Sequence, residues 1–208
     1  MKLNIYIIFC VLLWSACSEY ELQDTIMVYD SEHKFLPEYS EWGYNSFGAY
    51  YDREIFVSNK SITPAKLIFT NDSLTFMLNG IKGKPDTELY YDYYNSFPTM
   101  SIAFQLSGYS PESFQDLTIL HNTTIDLIDT NNAVYITIDT IRYKAQILSG
   151  SFSCKRAQLL YVDTKLNEVI LSGEFDFKAL VRGIPMTISY GRYDVGVNEG
   201  NFYLYDVP

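Results

Sequence analysis

The chain has 208 residues, enough for one domain with a core that needs no disulfide or metal to hold it. A formal net charge of −10 repels phosphate backbones, which argues against a nucleic-acid binder and against electrostatic docking on an anionic membrane. Aromatic residues make up 16%, with 19 Tyr and 13 Phe, and this composition suits pleated, half-buried strands rather than helices.

Residues 1–16 read as a signal peptide. Lys2 supplies the positive start, Ile5 to Trp14 is a short apolar run, and Ser15 and Ala16 are small. A bilayer core needs about twenty apolar residues, so this run is too short to span one. The end of the leader resembles a lipobox, the cleavage site before a lipidated Cys, with Trp14 standing where Leu is usual. That resemblance implies a diacylglycerol thioether and a further acyl chain on Cys17, and two or more chains anchor a protein stably. Removing the leader takes Lys2 and no acid, so the processed chain is more acidic still. Cys10 leaves with the leader and Cys17 takes the lipid. Cys154 then has no disulfide partner and reads as a buried structural thiol.

Residues 17–40 are acidic and polar, lack periodicity and read as a lipidated N-terminus and tether, with a strand at Thr25–Tyr29. Residues 41–208 read as one all-β domain. Phe47–Val57 forms two short strands about a turn at Asp52-Arg53. Leu67–Thr70 and Leu74–Leu78 flank the turn cluster Asn71-Asp72-Ser73, and Asn79-Gly80 marks a further turn. Ser101–Leu106 places Ile102, Phe104 and Leu106 on one face. Ser110-Pro111-Glu112-Ser113 reads as a turn, or as the start of a short helix capped by Ser110 with Pro111 at its first position. Thr123–Ile128 and Ala133–Ile138 flank Asp129-Thr130-Asn131-Asn132.

The last third has the clearest alternation. Tyr143–Phe152, Gln158–Val162, Val169–Leu180, Met186–Val195 and Phe202–Tyr205 read as strands, with a turn at Arg182-Gly183-Ile184-Pro185. Period two over Gly173–Leu180 puts Phe175, Phe177 and Ala179 inside. Many short strands with regular turn signals imply a single antiparallel β-sandwich or barrel.

Asn45-Ser46-Phe47-Gly48-Ala49-Tyr50-Tyr51-Asp52-Arg53-Glu54-Ile55-Phe56 resembles the opening hairpin, N-T-F-G-x-x-V-D-G-K-x-F, of a group of Bacteroidota lipoproteins of unknown function. Arg53 stands where that pattern has Gly. Leu171-Ser172-Gly173-Glu174-Phe175-Asp176-Phe177-Lys178-Ala179, with Ile188–Val195, resembles the group's closing hairpin, I-S-G-T-F-x-F-x-A followed by I-T-N-G-R-F-D-V. The resemblance implies a lipid-anchored, all-β envelope protein, with no catalytic residues to carry over.

Candidate chemistry is sparse. Tyr90, Tyr91, Tyr93 and Tyr94, beside Asp92 and Asn95, suit a sugar-stacking platform or a strand packed by tyrosines. Asp126, Asp129, Asn131 and Asn132 gather oxygen atoms, but without the Gly and distal Glu of a calcium loop they read as turn chemistry. Glu174 and Asp176 share a strand face and are the nearest thing to an acid–base pair for glycan hydrolysis. His33 and His121 have no metal-ligand spacing. Asp24-Thr25-Ile26, Asp72-Ser73-Leu74 and Asp139-Thr140-Ile141 match the short O-glycosylation motif of exported Bacteroidota proteins, with Thr25 and Ser73 the natural acceptors.

The expectation is a lipid-anchored cell-envelope protein, in the outer membrane, facing the periplasm or the surface. It is not an enzyme and takes no cofactor or metal. Its membrane contact is the lipid on Cys17, and its ligand is a glycan or an envelope protein. The alternatives are a structural or assembly component without a small ligand and a carboxylate-based glycan hydrolase.

Overall fold

The computed structural model describes residues 24–70, 73–84 and 98–205. The fold is all-β, built on one sheet of eleven strands. The strands are β1 (Ser46–Tyr51), β2 (Glu54–Val57), β3 (Ala65–Thr70), β4 (Ser73–Gly83), β5 (Thr99–Ser107), β6 (Thr123–Asp126), β7 (Ala133–Ile138), β8 (Ile141–Val162), β9 (Lys165–Val181), β10 (Ile184–Val197) and β11 (Phe202–Tyr205). A 3-10 turn over Phe114–Leu120 sends Phe114, Leu117 and Leu120 into the core against β8 and β9.

The pairings close into a ring. β4 bonds β5 along one edge, and β3 then β2 along the other. From β2 the ladder runs through β1, β10, β9, β8, β7 and β5 back to β4. Closure removes most sheet edges, which marks the fold as barrel-like rather than two facing sheets. The ladders are antiparallel except that β11 lies parallel to β3, so the expected purely antiparallel sheet is mixed at this one pair.

Alternation decides what fills the ring. Phe175, Phe177 and Ala179 are buried, while Glu174, Asp176 and Lys178 face water, as period two requires. Phe76, Phe104, Phe152, Phe175, Phe177 and Tyr193 meet in the interior. Phe152 and Tyr193 stack with centroids 5.4 Å apart and planes 8° apart. Cys154 belongs to the same core, its thiol pushed up to about 11 by burial.

Several local expectations change. Asn79-Gly80 is not a turn; β4 runs on to Gly83. A β-carbon at Gly80 would collide with the Val57 carbonyl oxygen, so this glycine permits a close approach of β2 to β4. Tyr143–Phe152 and Gln158–Val162 are one strand of 22 residues, bent by register shifts at Ile147/Ser149, Cys154/Arg156 and Leu160/Tyr161. Such bulges let a long strand curl around a barrel, and they break the alternation that a sequence shows. The helix cap is Ser113, whose amide and hydroxyl both donate to Asp116 Oδ2, and not Ser110. The last hairpin turns on Arg182 and Gly183 alone, both at positive φ, so Ile184 and Pro185 already belong to β10. At the first hairpin Asp52 takes the positive φ, 53°, and residue 53 does not need glycine.

The largest departure is at the N-terminal end. Residues 24–44, expected to be tether as far as residue 40, form a strap folded back on itself. Ile26 N donates to Tyr44 O at 2.8 Å, Glu38 N to Val28 O at 2.6 Å, and Asp30 N to Leu36 O at 3.0 Å. In place of a strand at Thr25–Tyr29 there is a single bridge, Tyr29 to Pro37. Leu36 is wholly buried against Ile55 and Val57 on the outer face of the barrel, forming a second small core. The strap's apolar residues are few and irregularly spaced because they pack on a sheet exterior, and no periodicity announces that. Residues 17–23 lie outside the described residues.

Candidate functional site

Among the described residues two places outside the barrel core gather polar side chains. The first is a groove where β3, β4, β5 and β7 meet the Ser61–Thr63 loop. It has a volume of about 430 Å³ and opens to solvent. Outward positions of neighbouring strands line it: Lys66 from β3, Asn79 from β4, Thr99 and Ser101 from β5, and Thr137 from β7, with Asp139 from the following turn. They share a face because β4 pairs β3 and β5 in register, with Leu78 opposite both Ala65 and Ile102. Asn79 Nδ2 donates to Thr63 O at 3.3 Å and Asn79 N to Pro64 O at 2.8 Å, which pins the loop to the sheet. The groove therefore offers hydroxyls that can donate or accept, one amide, one ammonium and one carboxylate.

Sequence alone missed this groove. Lys66, Asn79, Ser101 and Thr137 are ordinary outward residues of four strands, and only sheet pairing brings them together. The expected ligand residues Tyr90, Tyr91, Tyr93 and Tyr94 lie outside the described residues, as does Cys17. The tyrosines belong to the connection between Lys84 and Pro98, and Thr99, which follows Pro98, is a groove wall.

The second place is a carboxylate under the strap. Asp194 is 2% exposed. Its Oδ1 accepts from Gly43 N at 2.8 Å and Ser172 Oγ at 2.8 Å. Its Oδ2 accepts from Trp42 N at 3.1 Å, Tyr44 N at 3.2 Å and the Ser40 hydroxyl. Three backbone amides within three residues thus converge on one side chain, which fixes the returning arm of the strap. Glu168 is also buried, and burial first, then the Asp194 charge, raises its pKa. Further along the strap, Asp30 pairs with Arg192 and accepts from the amides of His33 and Glu32. Those amides and Arg192 hold its carboxyl at about 2. His33 lies against Tyr190, ring centroids 4.2 Å apart. These groups are consumed by attaching the strap.

The remaining sequence candidates do not converge. Glu174 is exposed and paired with Lys155 at 2.6 Å, and Asp176 is exposed opposite Ser151. Asp126 Oδ1 accepts from Ile128 N and Asp129 Oδ1 from Asn131 N, which closes turns, and Asn132 Oδ1 accepts from Ser107 N, which ties the loop to the end of β5. Among the described residues no group of three metal-ligating side chains occurs. His121 Nδ1 accepts from Ala157 N at 3.2 Å. Thr25, expected as an accessible acceptor for glycosylation, is 7% exposed beneath its own strap, whereas Thr140 is exposed in a hairpin turn.

No family model, no curated protein and no solved structure matches the chain.

Proposed function

We propose that this chain is a lipid-anchored protein of the cell envelope, held through Cys17, whose β domain is a non-enzymatic module that binds a glycan in the groove of Lys66, Asn79, Ser101 and Thr137. One observation carries the reading: outward side chains of four strands and a turn concentrate hydroxyl, amide and charged groups in one open groove. A sugar presents many hydroxyls and an apolar ring face, and specific sites meet it with convergent polar groups and aromatic rings. Tyr90, Tyr91, Tyr93 and Tyr94, which lie outside the described residues, supply the stacking rings in this reading. Among the described residues Asp139 is the one carboxylate that lines the groove. The signal-peptide pattern before Cys17 and the Bacteroidota resemblance support the envelope reading.

The test is a thermal-shift screen of the purified protein against a polysaccharide and oligosaccharide panel, with and without Ca²⁺. A ligand well above its Kd raises the melting temperature by mass action. The expected shift is abolished by Asn79→Ala and by Tyr91→Ala or Tyr93→Ala. No shift across the panel would leave a protein partner, sought by cross-linking in intact cells.

A second reading, an envelope assembly component, rests on β11. It pairs β3 along one side and ends the sheet order, and Leu204 and Tyr205 are exposed. A strand in that position can accept a partner's strand.

A further inference from the structure

Trp42 is 72% exposed, an unusual state for the largest side chain, and its backbone is locked. Its own amide and those of Gly43 and Tyr44 all donate to the buried Asp194 carboxylate. The indole is therefore held out from the barrel on a fixed mount. The outgoing arm of the strap runs beside it, tied by the Ile26–Tyr44 hydrogen bond, and exposes Ile26, Val28 and Tyr29.

We propose that this strap face lies on the lipid bilayer, with Trp42 seated in the interfacial zone. The inference rests on the lipid anchor at Cys17. Asp24 lies seven positions after Cys17, a span that even fully extended reaches no more than about 25 Å. The domain's longest strand has 22 residues, so such a leash keeps the strap side towards the membrane and does not let the domain swing freely. Trp and Tyr favour the headgroup region because each joins an apolar ring to a polar group.

The acidic chain excludes strong attraction to anionic lipid, so the surface it fits is zwitterionic. Local charge is mixed, since Asp24, Glu32 and Glu38 of the strap are exposed carboxylates that a shallow seating must leave in water, while the charges beside Trp42 are matched. Glu41, next to Trp42, accepts from the Tyr39 hydroxyl and pairs with Arg156 at 3.4 Å, and Lys155 pairs with Glu174. Desolvating matched pairs at an interface costs less than desolvating a lone carboxylate.

The sequence provides its own probe. The chain has two tryptophans, Trp14 and Trp42, so after leader removal, confirmed by intact mass, the indole emission belongs to Trp42 alone. The lipidated protein is reconstituted in phosphatidylcholine vesicles, with and without lipid brominated near the headgroup end of its acyl chains. Flotation reports anchoring, and emission reports contact. The expected result is co-flotation, a shift of the emission maximum to shorter wavelength, and quenching by the brominated lipid, the indole emission being lost in Trp42→Phe. Co-flotation with unquenched, solvent-like emission overturns the proposal and leaves the anchor intact. A blue shift without quenching that grows with protein density assigns the face to a second copy, and also overturns it. Absence from the floating fraction removes the anchor and the orientation with it.

Discussion

Asp194 and Ser172 face each other across β10 and β9, and the Ser172 hydroxyl donates to Asp194 Oδ1 at 2.8 Å. The same carboxylate closes the strap, so one side chain joins the sheet's outer face to the segment that covers it. Asp194→Asn keeps the shape, but either orientation of the amide turns N–H groups towards donors. The expected loss is about 3 kcal/mol in a urea melt. Amides of Trp42, Gly43 and Tyr44 lose hydrogen-exchange protection before the barrel does. Ser172→Ala, which leaves the three amides satisfied, costs about 1 kcal/mol. Equal protection of the strap in Asp194→Asn and the parent protein would show that the packing of Leu36 suffices.

The two acidic sites under the strap respond to pH with opposite signs. Asp30 is held at about 2, below its ordinary 3.8. Its stabilisation is present above pH 3.8 and is lost as pH falls towards 2. Glu168 is raised above its ordinary 4.5, so the folded protein binds its proton more readily than the unfolded chain. Stability then declines as pH rises from 4.5 through the folded value, and charged Glu168 is a burden at neutral pH. Glu168→Gln is expected to raise the melting temperature at pH 7, with the gain vanishing below pH 4.5. An unchanged difference across that range would rule out the charge as its cause.

Gly80 and Gly173 test the close approaches of the barrel wall. A β-carbon would meet the Val57 carbonyl oxygen at Gly80 and the Ser153 carbonyl oxygen at Gly173, both backbone atoms that cannot swing away. Alanine at either site is expected to cost more than about 3 kcal/mol. Gly108 has open space and a φ of +79°, so Gly108→Ala meets only backbone strain and costs about 1 kcal/mol. Chemical denaturation of the three variants separates the two mechanisms.

The β8–β9 hairpin turns at Asp163 and Thr164, with φ of 49° and 67°. A β-branched residue is poorly suited to that conformation, which type I′ turns usually give to glycine. Thr164→Gly is expected to stabilise the protein by about 1 kcal/mol, read as an increased midpoint in urea with unchanged slope. A loss of stability would mean that the Thr164 side chain makes a contact worth more than the strain.

Cys154 offers a reactivity test. Burial raises its thiol to about 11, so at pH 8 the thiolate is scarce as well as enclosed. Mapped alkylation should leave Cys154 unmodified in the native protein and modify it in denaturant. Rapid native labelling would contradict its place in the core.

The strands that alternate were legible in sequence, and their inward faces follow directly: Ile102, Phe104 and Leu106 on β5, and Phe175 and Phe177 on β9. Gly80 misled because glycine signals turns far more often than it signals two strands crossing closely. The bulges of β8 hid one long strand as two. The strap was illegible because Leu36, Pro37 and Trp42 follow no period, and its anchor, Asp194, lies 151 positions beyond Gly43. The groove was illegible for a related reason: pairing, rather than spacing, assembles it.

That separation bears on the order of events during synthesis. β1 has its neighbour in β10, and the ring is sealed by only three residue pairs between β2 and β4, from Ile55–Gly83 to Val57–Ile81. The first strands to leave the ribosome therefore wait for almost the last, and a topology dominated by such distant contacts folds slowly. If the chain is threaded across a membrane N-terminus first, this delay keeps it unfolded in transit without a separate device. Once the terminal strap and β11 are peeled away, the three-pair seam is the weakest ladder left to hold the ring closed.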